Sequence, residues 1–147
     1  MTELERLRSF DVPKECSEIG TFFFDLQCSG DSETVLKKIQ SVIEIVVLHQ
    51  NPWPSDESWK ALLPKWLIEQ FAESPIISES QKRAQWAISN WIYWFQPEHR
   101  EWTWWHGKLL DANRVRIEVE AAETPFSADA LTWLFKACGA TKVIPEI

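Results

Sequence analysis

The chain has 147 residues, 22 acidic and 15 basic side chains and a net charge of −7, with 45% hydrophobic and 13% aromatic residues. That is one domain with apolar material for a large core, not a disordered tail. Its glycines, Gly20, Gly30, Gly107 and Gly139, are never closer than ten residues, which excludes a phosphate-cradling loop and a G-x-S-x-G nucleophile turn.

Thr2-Glu3-Leu4-Glu5 has the form of a capping box, so a short helix, or else a loose arm, opens the chain before Pro13. Near 20–28, Phe22, Phe24, Leu26 and Cys28 alternate with Thr21, Phe23, Asp25 and Gln27, the period of a half-buried strand, with Phe23 as a misfit. Gly30, Asp31 and Ser32 make a turn and cap. Val35, Leu36, Ile39, Val42, Ile43, Val46 and Val47 then recur at helical spacing, predicting a helix near 33–49 that stops by Pro52. A helical stretch near 56–73, capped by Ser55, contains Pro64, which cannot donate and crowds the preceding turn. Two short helices are expected there, Pro64 opening the second. The loops 51–58 and 73–79 are expected to be mobile. Ser78-Glu79-Ser80-Gln81 is another capping box, for a helix near 79–95 carrying Ala84, Ala87, Ile88, Trp91, Ile92 and Phe95 on one side. Trp86, Tyr93 and Trp94 spill outside that stripe, as in a helix that is sandwiched or presents a contact surface.

After Pro97 the period changes to two, predicting a strand near 100–109 and a hairpin through Asp111-Ala112-Asn113. The returning strand, 114–121, alternates Val115, Ile117, Val119 and Ala121 with Arg114, Arg116, Glu118 and Glu120. A three-residue turn with Asn113 left-handed sets Leu109 against Val115 and Trp105 against Val119. Trp105 is then core, and Trp102 and Trp104 line up with Arg114, Arg116 and Glu118; a slip of one residue reverses the assignment. Ser127 is a good N-cap for a helix near 128–138 closed by Gly139, and a short strand near 141–144 ends the chain, its edge blunted by Pro145. The expected fold class is a single α+β domain, residues 1–147, with a mostly antiparallel sheet.

The stretch Trp91-Ile92-Tyr93-Trp94-Phe95-Gln96-Pro97-Glu98 through Trp105, the Glu118-Val119-Glu120 strand, Pro125-Phe126, Trp133-Leu134-Phe135 and Gly139-Ala140 resembles small tryptophan-rich hypothetical proteins of cyanobacterial genomes. The likeness covers roughly the C-terminal 60 residues. It implies a cytoplasmic bacterial protein and carries no activity with it.

No run of about 18 uncharged apolar residues marks a membrane span, and no leader pattern opens the chain. Cys16, Cys28 and Cys138 are odd in number and form no C-x-x-C pair, which fits three buried thiols in a reducing cytoplasm. Catalysis by Cys and His would need one of them beside His49, His99 or His106, and nothing local brings such a pair together. His99 and His106, seven apart along a strand, face opposite sides, which argues against a metal site unless a bulge corrects the parity. Glu118 and Glu120 share a strand face offset by Arg114 and Arg116, the pattern of a solvated surface. No cofactor or metal is expected, and an enzyme less than a binding protein.

Nine of the ten tryptophans lie between residues 53 and 105. A crowded core accounts for most of them, because each indole is bulky and its N–H wants a partner at a core edge or interface. The surplus points to a Trp/Arg surface on the hairpin, formed by Trp102, Trp104, His106, Arg114 and Arg116, with Trp86, Tyr93 and Trp94 as a second group. The leading expectation is a non-enzymatic cytoplasmic interaction or regulatory module that contacts a protein partner or a second copy of itself. The alternatives are a small-molecule-binding protein or enzyme with a Trp-walled pocket and, third, a single-strand nucleic-acid binder. An acidic surface that repels phosphates makes nucleic acid an unfavoured partner.

Overall fold

The structure is a computed structural model and describes residues 2–9, 16–71, 86–123 and 126–146. In chain order its elements are helix α1 (Glu3–Leu7), strand β1 (Thr21–Cys28), helices α2 (Ser32–His49), α3 (Asp56–Leu62), α4 (Lys65–Ile68) and α5 (Ile88–Tyr93), strands β2 (Trp102–Asp111) and β3 (Arg114–Ala121), helix α6 (Asp129–Ala137) and strand β4 (Ala140–Glu146). The four strands form one antiparallel sheet in the order β2-β3-β1-β4. Chain order and sheet order together give the split β-α-β-β-α-β topology called ferredoxin-like, with α3, α4 and α5 inserted between α2 and β2. The α+β class and the antiparallel sheet are as the periodicities predict.

The core lies between one sheet face and α2 and α6. Phe24 and Leu26 of β1 and Val115, Ile117 and Val119 of β3 face it and are buried, alternating with half-buried or exposed neighbours. Val35, Leu36, Ile39, Val42, Ile43 and Val46 of α2 lie opposite, each worth about 1.5–3 kcal/mol when fully removed from water. Asp31 caps α2 by accepting from the Thr34 N–H. Phe24 meets Phe135 of α6 edge-on at 5.5 Å, tying the second helix to the same layer. Phe23 faces the opposite, open side of the sheet, where the Arg116 guanidinium lies 5.4 Å from its ring centre.

The inserted helices are short and hold by aromatic contact. Pro64 caps α4, as its missing N–H favours, so the 56–73 stretch is two helices, α3 and α4. Trp59 is fully buried against Trp53, and Trp91 of α5 meets Trp133 of α6 at 5.7 Å while its Nε1–H donates to the Ala130 carbonyl. Phe71 stacks on Trp133 at 4.5 Å. Large rings thus supply the burial that four- to seven-residue helices are too short to provide with aliphatic side chains.

Several expectations are corrected. Cys16 is exposed, so only Cys28 and Cys138 are buried thiols. Ser127 does not cap the last helix; Ala128 stands there, with no side-chain cap bond. Loop 51–58 ends in the Ser55 cap of α3, which accepts from the Ser58 N–H, whereas loop 73–79, the Ser78 capping box, Ala84, Pro13 and Pro125 lie outside the described residues.

The hairpin register is the consequential correction. Leu109 does face Val115, but the turn is the two residues Ala112 and Asn113, and no described non-glycine residue has positive φ. Residues 105 and 110 are each extra in β2, making two bulges. Each inserts one residue and reverses side-chain parity. Beyond the first bulge, Trp104 instead of Trp105 pairs with Val119, and Trp102 pairs with Ala121, on the core face. The Trp104 ring lies across Gly107: a Cβ there would meet Leu36 Cδ1 at 2.5 Å and Trp104 Cζ2 at 2.9 Å, so only glycine fits.

Both sheet edges are guarded. Ala121 N–H donates to Gly20 and Cys28 N–H to Asn113, so alternate β3 residues spend their backbone groups on β1 and leave those of their β2 partners facing outward. At Trp104 these groups meet α1: the Glu3 carboxylate accepts from Trp104 N–H at 2.7 Å, and Arg6 Nε donates to the Trp104 carbonyl at 3.0 Å. Arg6 also lies 4.5 Å over the Trp105 ring. Thr2 caps α1 by accepting from Glu5 N–H, so the opening segment is a helix, not an arm. On β4, Pro145 stands opposite Phe24 at a position whose amide would point to the free edge; it costs no ladder bond and removes a donor from that edge.

Candidate functional site

The hairpin residues divide between two faces of the sheet. Trp102 and Trp104 are buried in the core, and Trp105 is buried beneath Arg6. Arg114 and Arg116 project to the other face, where both are engaged: Arg114 Nε donates to Asp111 at 2.6 Å, and Arg116 holds Asp25 through two bonds of 2.7 and 3.1 Å. That pairing holds the Asp25 carboxyl below its ordinary pKa. His106 is buried opposite Glu118, and burial lowers its pKa more than Glu118 raises it. The expected Trp/Arg surface therefore does not assemble, because the inserted Trp105 turns the indoles inward. The same inward turn removes the hairpin tryptophans from any Trp-walled pocket.

The open sheet face is ionic. Glu118 accepts from Thr21 at 2.6 Å, and Glu120 accepts from Ser17 at 2.6 Å and Thr103 at 3.3 Å. Among the described residues its rings are Phe23, already under Arg116, and the buried imidazole of His106. A base-stacking surface needs several free rings beside basic side chains, so this face offers the nucleic-acid reading no support.

Trp86, Tyr93 and Trp94, by contrast, come together. In α5, Ile88, Trp91 and Ile92 point inward, so helical periodicity turns Ser89, Asn90 and Tyr93 outward. Trp86 precedes the helix and Trp94 is its C-cap. These five residues line a shallow depression of about 370 Å³. Tyr93 and Trp94 are 44% and 37% exposed and stand edge to face, 5.3 Å apart at 88°. After Trp94 the chain turns at Pro97, where His99 N–H donates to the Gln96 carbonyl at 2.9 Å. That turn returns the His99 ring to stack on Tyr93 at 4.2 Å and 22°. Sequence reasoning did not place His99 here; no local periodicity reports a contact made across a turn.

The two buried thiols sit in apolar surroundings that push their pKa values up, Cys138 to about 12, the opposite of what a nucleophilic thiol needs. Among the described residues, no group of three His, Cys, Asp or Glu is placed to hold a metal, and no helix is long and apolar enough to cross a membrane. No family model, curated protein or solved structure matches this chain. The fold class itself hosts many functions and selects none.

Proposed function

We propose that this protein is a non-enzymatic interaction module that docks a protein partner on the aromatic surface formed by Trp86, Tyr93, Trp94 and His99. The observation that carries this reading is the joint exposure of Tyr93 and Trp94. Five of the tryptophans are buried, yet these two neighbouring rings stay in water beside a depression. Among the described residues, the other exposed large apolar side chains are Ile19 in the segment before β1, Leu48 of α2, Leu109 of β2 and Ile144 of β4, no two on one element, as on ordinary surfaces. Tyr and Trp bring large contact area at low entropic cost, and a few such anchors dominate the energy of many interfaces. Ser89 and Asn90 add polar groups at the rim.

The test is selection of a phage-displayed random peptide library on the immobilised protein, followed by binding of the selected peptides to a Tyr93→Ala/Trp94→Ala variant. Peptides are expected to lose at least tenfold in affinity, the size of one to two lost anchors. Equal binding to the variant overturns the reading. Light scattering decides self-docking: a dimer that the double substitution dissociates would replace the protein partner with a second copy.

A further inference from the structure

We infer that the group received by this aromatic surface is a cation, an Arg or Lys side chain of a basic protein segment; the inference rests on the reading of the surface as the contact site. Cations and rings are paired elsewhere in the molecule. Arg6 lies over Trp105, Lys38 over Trp66 at 5.0 Å, Arg100 over Trp102 at 5.1 Å and Arg116 over Phe23. Among the described residues no cation lies over Trp86, Tyr93 or Trp94. Residues 86–99 themselves contain no Lys or Arg, and their one formal charge is Glu98; Lys82 and Arg83, ahead of Trp86, lie outside the described residues. The cation that follows them in the chain, Arg100, has its side chain buried and held by Glu3 through bonds of 2.6 and 2.9 Å.

The geometry suits a cation. The negative faces of aromatic rings attract a cation placed over them, most strongly for Trp. His99 covers one face of Tyr93, and Trp94 stands across Tyr93 at 88°, so two rings make the walls of a corner. The Asn90 side-chain carbonyl at its rim can accept from a guanidinium or ammonium. The net charge of −7 adds long-range attraction for a basic segment and repulsion against a second copy or an acidic one.

The experiment uses hexa-arginine and its uncharged isostere hexacitrulline as probes, with the full-length protein. Affinity is read by titration at 150 mM and at 500 mM salt, and location by the indole N–H resonances of Trp94 and Trp86. Hexa-arginine should shift both resonances and bind at least tenfold more tightly than hexacitrulline and than it binds Tyr93→Ala/Trp94→Ala. His99→Lys, which keeps both exposed rings but places a cation of the protein's own on Tyr93, should weaken hexa-arginine severalfold. The inference falls if hexacitrulline binds as well as hexa-arginine, if the double variant binds hexa-arginine undiminished, or if neither peptide binds. Those failures leave the contact-surface reading to its own library test: selected peptides that need Tyr93 and Trp94 but carry no Arg or Lys would keep the surface and discard the cation.

Discussion

Trp105 has no partner of its own in β3, and that one unpaired residue decides the chemistry of the hairpin. Its insertion puts Trp104 over Gly107 in the core and leaves the arginines on the far side with Asp25 and Asp111. The neighbouring His106 is buried neutral, its pKa lowered chiefly by desolvation. The sign of the linkage follows. Above about pH 6.5 neither the folded nor the unfolded state binds the proton; below it the unfolded state takes it first, so stability falls as pH drops from the unfolded toward the folded value. One such proton gives a slope of at most about 1.4 kcal/mol per pH unit. Urea unfolding of the wild type and of His106→Gln between pH 8 and pH 5 should show the variant's deficit shrinking as the pH falls. A difference independent of pH would show that His106 does not titrate with unfolding.

At the scale of elements, α1 is a short helix acting through two side chains. Glu3 bonds the backbone of β2 and the Arg100 guanidinium at once, while Arg100 is 6% and Glu3 13% exposed in their side chains. Removing one partner of a buried pair leaves the other charge uncompensated. Glu3→Gln should therefore cost about 3 kcal/mol, near the lower limit for such pairs because the amide still accepts a hydrogen bond. Glu3→Leu/Arg100→Met should recover part of that loss, since apolar replacement of a buried pair is often neutral but here leaves the Trp104 N–H without its acceptor. Urea denaturation of the two variants checks the order; an equally unstable double variant would mean that α1 is held by its charges alone. α5 shows the same economy: three inward residues anchor it, and the opposite side presents the aromatic surface.

At the scale of the molecule, a split-βαβ sheet has two free edges, and this chain closes them by different means. The β2 edge is bulged and bonded by α1; the β4 edge carries Pro145 and the charged Lys142. Free strand edges template association, and these two devices oppose it. Pro145→Val restores an outward donor on β4 and should promote concentration-dependent association by light scattering, with the urea midpoint changed little. A variant as monodisperse as the parent would place the protection elsewhere.

What the sequence by itself determined is what short-range periodicity encodes. The alternation in β1 and β3, the stripe of α2, the break at Pro64 and the blunted end of β4 all follow from neighbours two to four residues apart, whose placement the local backbone dictates. That Tyr93 and Trp94 lie outside an apolar stripe was legible in the same way, whereas their exposure, in place of a sandwiched helix, was decided by the tertiary structure. Only the tertiary structure decided which way the hairpin tryptophans face. An inserted residue leaves no mark in a string where Trp102, Trp104 and Trp105 are all large and apolar, and its position is selected by how the indoles fit against Leu36, Gly107 and α1. Contacts across long chain separations, Glu3 with Arg100 and Arg116 with Asp25, belong to the same class. They are fixed by packing between elements, which no local spacing records.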